Sequence, residues 1–168
     1  MPLPHWLYIL SVLTHIVAAM TWVGGMLFVS LVLVPGLRRL GDAALQARLL
    51  SEAGRRFRAV GWVAIATLVV TGVTNAWGRW GLDALLTPAF WGSGPGRLLL
   101  VKLVVVAAML VQSAVHDFVL GPRLTARRRA GAPAADLAGL RRRVSWLARL
   151  NLVLGLGVVA LAVLIVRG

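Results

Sequence analysis

Four long apolar stretches divide this chain, and each is long enough to cross a lipid bilayer. They cover about residues 5–34, 57–77, 97–120 and 144–166. A membrane-spanning helix needs about 20 mostly apolar residues, and 60% of the 168 residues here are hydrophobic. Helices satisfy every backbone polar group internally, which the hydrocarbon region demands. The sequence therefore predicts an all-α integral membrane protein, a four-helix bundle that forms a single domain over residues 1–168.

The formal charge of +13 is concentrated in two of the three connections between these stretches. The only basic residues of the middle connection are Arg79 and Arg97. The basic residues of the other two are Arg38, Arg39, Arg48, Arg55, Arg56, Arg58, Arg123, Arg127, Arg128, Arg129, Arg141, Arg142 and Arg143. This distribution follows the positive-inside rule, so it argues against nucleic-acid binding. It predicts an inner (cytoplasmic) membrane protein with two Arg-rich cytoplasmic loops and both termini outside.

Proline and glycine suggest where the helices end. The pair Pro35-Gly36 predicts the end of the first helix, and Gly121-Pro122 predicts the end of the third. Residues 37–56 have an Ala/Leu/Arg pattern and are predicted to form a short interfacial helix. Residues 78–96, rich in Gly, Pro and Trp, are predicted to form a loop, as are the Arg-rich residues 123–143.

Three ionisable residues, His15, Lys102 and His116, lie inside the apolar stretches. Such residues are costly in a membrane and by default mark a functional site. Other roles stay open: His15 as a hydrogen-bonded packing residue, Lys102 as a side chain that extends to the interface, and His116 with Asp117 as a pair near the inner interface. The chain has no Cys, which excludes disulfides, thiolate metal sites and a Cys nucleophile.

The first helix carries a face that favours ligand binding. His15, Trp22 and Met26 are spaced by seven and four residues, so they share one side of a helix. Gly24 and Gly25 lie beside them, and paired glycines in a membrane helix allow the close approach of another helix or of a flat ligand.

Polar side chains also form stripes on the second and third helices. The second helix offers Thr67, Thr71, Thr74 and Asn75, and the third offers Lys102, Val106, Met109, Ser113 and His116. If the first and third helices start level, a rise of about 1.5 Å per residue puts His15 and Lys102 about one turn apart in depth. We therefore expect one cofactor in the outer half near both residues, and a different role for His116.

Several of these segments together resemble the copper resistance protein D (CopD) family. They are residues 96–103 (GRLLLVKL) preceded by Thr87-Pro88, residues 118–124 (FVLGPRL), His15-x6-Trp22-x-Gly24-Gly25 in the first helix, and Arg149-x-Asn151 before a Gly-rich last helix. That family more often has an acidic residue at the position of Asn151. The resemblance covers nearly the whole chain and implies copper uptake or resistance. Copper(I) favours thioether and imidazole ligands, so Met26 and Met109 are the candidate copper ligands in that case.

The chain also resembles the HemJ-type protoporphyrinogen oxidases, which are small four-helix membrane proteins. That family has a His in the first helix, then an aromatic-x-x-Gly segment, and a Lys and a later His in the third helix. His15, Lys102 and His116 match these positions. The resemblance implies haem b, with His15 as axial ligand and Lys102 as second ligand or propionate partner. After Gly25 this chain has MLFVSLVLVP in place of a Tyr-Leu-Pro-Arg-Leu-type run, which leaves porphyrinogen oxidation unsupported.

The sequence thus favours a haem b-binding redox protein with an electron-transfer or oxidase role, and copper uptake or resistance is the alternative. A ligand-free accessory subunit ranks last, because it leaves His15 and Lys102 unexplained. The candidate cofactor-binding residues are His15, Lys102, Trp22, Gly24, Gly25, Asn75 and Arg97, together with His116 at a second, inner site. The expected partners are the lipid bilayer, a quinone, porphyrin or redox protein, and a second copy of the chain. Catalytic residues cannot be assigned, and whether the protein is an enzyme stays open.

Overall fold

The computed structural model describes residues 3–167, which are predominantly helical and contain no strand. Within this range four helices are long and apolar enough to cross a membrane. They are α1 (His5–Arg38), α2 (Ala43–Trp80), α5 (Gly94–Arg129) and α6 (Ala134–Arg167). Two short helices, α3 (Leu82–Leu86) and α4 (Pro88–Gly92), lie between α2 and α5. The predicted all-α membrane fold is therefore confirmed, whereas the side of the membrane on which the termini lie stays a prediction.

Two of the predicted helix ends are wrong, because α1 and α5 continue through their prolines. A proline inside a helix lacks an N–H group, and its ring clashes with the carbonyl four residues earlier. Here a π-helical turn precedes each proline, Val29–Leu33 before Pro35 and Val115–Leu120 before Pro122. In these wider turns the backbone N–H groups bond to carbonyls five residues back, as Val34 does to Val29. A π-helical turn contains about one residue more than an α-helical turn, and this lets the helix continue past the proline.

The polar residues 43–56 belong to α2 and do not form a separate interfacial helix. Asp42 caps the helix, because its side-chain oxygen accepts from the N–H groups of Ala44 and Leu45 at 2.8 and 3.0 Å. Ala, Leu, Arg and Glu after the cap are strong helix formers. The 38 residues of α2 extend about 57 Å at 1.5 Å per residue, about twice the roughly 30 Å of a bilayer core. The Arg-rich first part of α2 therefore extends beyond the hydrocarbon.

Replacing Asp42 with Ala is expected to destabilise the protein. The change removes the acceptor for two N–H groups at the start of α2 and costs about 1 kcal/mol. The measurement is the free energy of unfolding in mixed micelles. Asp42→Asn, which keeps a capping oxygen, is the control and should stay within a few tenths of a kcal/mol of wild type. Equal stability of Asp42→Ala and wild type would contradict this role.

The predicted loop over residues 78–96 is more ordered than expected. Gly81, at φ +79°, ends α2, and the Trp91 indole N–H donates to the Leu85 carbonyl at 3.0 Å. A Cβ at Gly96 would overlap the Phe90 carbonyl, so the chain passes close to itself here. The segment between α2 and α5 is thus a compact helical connection rather than an extended loop.

The predicted loop over residues 123–143 is also mostly helical. The helix α5 ends at Arg129 and α6 begins at Ala134, so only a short turn separates them. Gly131 adopts φ +72° in that turn, a conformation that favours glycine. The arginines of this connection therefore lie on the ends of two helices.

Contacts divide the chain into two compact units, Met1–Arg97 and Leu98–Gly168. In the first unit, α1 and α2 pack antiparallel. The residues of each helix that meet the other are spaced alternately four and three apart, a pattern typical of left-handed coiled coils. Trp22 packs over Gly61, and Gly25 faces the Phe57 ring. In the second, the Gln112 amide donates to the Leu147 carbonyl at 2.8 Å. The prediction of a single domain stays untested.

Candidate functional site

His15 lies on α1 and is held by a hydrogen bond to α2. Its Nδ1 is 2.8 Å from Thr71 Oγ1. The Thr71 hydroxyl donates its single proton to the Thr67 carbonyl at 2.6 Å, so it can only accept from His15. Nδ1 of His15 is therefore the protonated nitrogen. In the neutral ring, Nε2 then carries the lone pair that a metal ligand requires.

A small, partly buried polar cluster surrounds this imidazole between two apolar helices; we name it the His15 cluster (Ser11, His15, Thr67 and Thr71). Ser11 Oγ donates to the Thr71 carbonyl at 3.4 Å, and Ser11 and Thr71 are both buried. Gly72 lies beside the ring, because a Cβ there would be 3.5 Å from His15 Cε1. The hydrogen bond of Nδ1 is thus the one expected from the alternative role of His15 as a hydrogen-bonded packing residue.

Asn75 lies one turn beyond Thr71 on α2. Its side-chain oxygen is buried and has no hydrogen-bond partner among residues 3–167. A buried polar atom without a partner costs about 1–3 kcal/mol, so such an atom in a native fold calls for an explanation. The amide is therefore a candidate contact for a bound group close to the His15 cluster.

Four of the predicted cofactor-contacting residues serve helix packing or lie at the surface. Trp22 is 8% exposed and covers Gly61 of α2. Gly25 faces Phe57, whereas Gly24 is exposed with nothing within 4 Å of a Cβ built on it. The glycine pair allows a close approach, and at Gly25 it is α2 that approaches. Arg97, the last residue of the first unit, is exposed.

The second unit holds Lys102 and His116. Lys102 is half-buried and has no hydrogen-bond or ion-pair partner within residues 98–167. Nδ1 of His116 is 2.8 Å from Asp117 Oδ1, and both side chains are part-buried in the π-helical turn of α5. This hydrogen bond agrees with the alternative role of His116 as the partner of Asp117, and the location of the pair at the inner interface stays a prediction.

The core of the second unit lies where α5 faces α6. Met109 is only 1% exposed, which agrees with simple core filling and leaves its role as a copper ligand untested. Asn151 donates to Ser113 Oγ at 3.1 Å. A short polar residue at position 151 therefore joins the two helices.

Sequence reasoning identified Thr71 but missed the smaller residues of α2 that receive α1. Gly61, Ala64 and Gly78 lie with Thr71 along one side of α2 at spacings of three or seven, and small residues at such spacing are typical of membrane helix interfaces. That spacing was the available signal. Phe57, which fills the space left by Gly25, has no comparable signal because one aromatic residue at a helix end fits many roles.

No group of three or more His, Cys, Asp or Glu side chains in residues 3–167 could hold a metal ion.

Comparisons with known proteins address the family. A sequence model described as "Copper resistance protein D" matches residues 51–165. The chain is 32% identical over 157 residues to an uncharacterized protein of Aquifex aeolicus (strain VF5), and the match covers 92% of each chain. No solved structure matches, and the likeness to HemJ-type oxidases stays a prediction. Because the matched region spans most of the sequence, this multi-pass membrane protein belongs to the copper resistance protein D family.

Proposed function

We propose that this protein binds haem b in the membrane and serves as a redox protein, with His15 as axial ligand through Nε2. The observation that carries the proposal is the hydrogen-bond chain from His15 through Thr71 to the Thr67 carbonyl. Metal-binding histidines characteristically donate the other ring N–H to a fixed acceptor, which sets the tautomer and the ring orientation. His15 has this arrangement inside an apolar helix pair.

The donor set of the first unit fits haem better than it fits a bare metal ion. A porphyrin supplies the equatorial ligands itself, so the protein adds only axial ligands and an apolar surrounding. A single oriented imidazole is then sufficient. The absence of larger ligand groups in residues 3–167 is compatible with a haem site, whereas a structural metal site usually takes four protein ligands.

The buried side-chain oxygen of Asn75 supports the same position. It lies four residues beyond Thr71, about 6 Å further along the helix axis. An amide can turn either its oxygen or its NH₂ group toward a neighbour, so it suits a haem propionate in either protonation state. Arg97 is the further propionate candidate. Lys102 as second ligand rests on the HemJ resemblance alone, and His116 is expected to serve a second, inner site.

Bound haem would supply one-electron chemistry. The role of this chain is then to orient His15, to exclude water with the apolar faces of α1 and α2, and to deliver electrons to or from a quinone, porphyrin or redox protein. Whether the protein is an electron-transfer protein or a membrane oxidoreductase depends on that partner. We place it in the inner membrane, as the distribution of arginine predicts.

The test is an oxidised-minus-reduced visible spectrum of detergent-purified protein produced in cells with ample haem. We expect a Soret band together with sharp α and β bands in the reduced state, which identify b-type haem. A featureless spectrum from protein that is folded by circular dichroism would contradict the proposal.

Copper handling is the second candidate, and membership of the copper resistance protein D family favours it. Copper(I) binds thioether sulfur and imidazole, and Met26 and Met109 are both buried. Copper bound by wild type, measured by metal analysis, should fall in Met26→Leu and Met109→Leu if these residues are ligands. Haem binding should survive both changes, because leucine conserves the volume of methionine.

A further inference from the structure

An open groove runs along the surface between α1 and α2, with a volume of about 430 Å³; we name it the α1–α2 groove. Its lining residues are Thr14, Val17, Ala18, Thr21, Ala59, Val60, Val63, Ala64 and Thr67. All of them belong to the first unit, and one of them, Thr67, is also part of the His15 cluster.

The wall of this groove is hydrocarbon in character. The Thr21 hydroxyl donates to the Val17 carbonyl at 2.8 Å, and the Thr67 hydroxyl donates to the Val63 carbonyl at 2.9 Å. With those protons satisfied within each helix, methyl groups and small side chains form most of the wall. Val17 is 62% exposed and Val63 is 68% exposed, so the groove opens toward the surrounding lipid.

The length of the groove matches one leaflet. Ala59 and Thr67 are eight residues apart on α2, which corresponds to about 12 Å along the axis. Half of a bilayer core is about 15 Å thick. The groove therefore has the length of the hydrocarbon part of one leaflet, and a single acyl chain can lie along it.

One end of the groove is positively charged. Arg55 and Arg56 precede Ala59 by four and three residues, so they lie on the same side of α2 one turn beyond the groove. Their side chains are 74% and 81% exposed, and both bind Glu52. On α1, Gly24 follows Thr21 by three residues and has no Cβ, and the space there is empty. The open surface thus continues from the apolar wall toward the two guanidinium groups.

We propose that the α1–α2 groove binds an anionic phospholipid, with one acyl chain along the groove and the phosphate at Arg55 and Arg56. Guanidinium groups bind phosphate oxygens through paired N–H donors, and the apolar wall takes the chain. Glu52 competes with the phosphate for both arginines.

The experiment measures phosphatidylglycerol and phosphatidylcholine retained by the detergent-purified full chain, by titration and native mass spectrometry. The double variant Arg55→Gln/Arg56→Gln should lower phosphatidylglycerol affinity roughly 30-fold, since each basic residue near an anionic lipid contributes about fivefold. The matched control is Arg38→Gln/Arg39→Gln, which removes the same charge from exposed arginines beyond the π-helical turn of α1. It should change affinity by less than about twofold if the site is local.

Two further variants separate the headgroup from the chain. Glu52→Gln should raise phosphatidylglycerol affinity, because the competing carboxylate is gone, and it keeps all arginines. Val63→Trp fills the groove and should weaken both lipids. Equal binding of the two lipids by wild type, or equal loss in the two double arginine variants, would overturn the proposal in favour of general lipid contact or of diffuse charge.

Discussion

Protein with His15 replaced by Ala is expected to be purified without haem, although it should remain folded. The change removes the imidazole that we propose as axial ligand, and apolar contacts alone do not fix the iron. The measurement is the ratio of Soret to protein absorbance, together with the reduced α band. Unchanged haem content in His15→Ala would refute the ligand assignment.

Replacement of a different histidine, His116, is the control for His15→Ala. His116→Ala removes a histidine that is hydrogen-bonded to its neighbour Asp117, so the haem signal should persist. Loss of haem only in His116→Ala would move the site to the second unit. Loss of haem in both variants would indicate that two histidines bind the iron. It would contradict the proposal that His15 is the single histidine ligand.

The acceptor of the imidazole N–H can be tested separately. Thr71→Val keeps the shape of the side chain but removes the oxygen that His15 bonds, so the ring loses its fixed tautomer. Loss of such a partner usually lowers affinity by about 10–100-fold, measured here by haem titration of the apoprotein. Thr67→Val is the matched control, since its hydroxyl bonds only to its own helix and its carbonyl, which accepts from Thr71, is unchanged.

The sequence predicted the four long helices because hydrocarbon length and backbone satisfaction leave few alternatives. It did not predict their ends, because Pro35 and Pro122 usually terminate a helix and only the backbone reveals the π-helical turns that absorb them. Likewise, the Ala/Leu/Arg pattern indicated a helix after residue 42, but not that this helix continues into the membrane without interruption.

For similar reasons, only part of the candidate site could be predicted from the sequence. His15 and Thr71 were each visible as polar residues in apolar stretches, but their pairing depends on the register of α1 against α2. That register is set by small residues such as Gly61 and Gly72, whose partners lie far away in sequence. The tautomer of His15 could not be predicted at all, since it depends on where the Thr71 proton goes.

The glycine pair of α1 gives the sharpest test of that register. Gly25→Ala should destabilise the protein by about 1–3 kcal/mol, because the new methyl group overlaps the Phe57 ring and forces α1 and α2 apart. Gly24→Ala makes the same chemical change one residue away, where nothing lies within 4 Å, and should be neutral or slightly stabilising. The measurement is the free energy of unfolding in mixed micelles.

A double-mutant cycle identifies the cause of that loss. Phe57→Ala removes the ring, so Gly25→Ala should cost much less in that background than in wild type. Residues in direct contact typically show coupling energies of about 0.5–3 kcal/mol. The same cycle with Gly24→Ala should be additive within about 0.5 kcal/mol. Equal costs of Gly25→Ala with and without the Phe57 ring would mean that the two residues do not meet, and that the register of α1 against α2 differs from the one that joins His15 to Thr71.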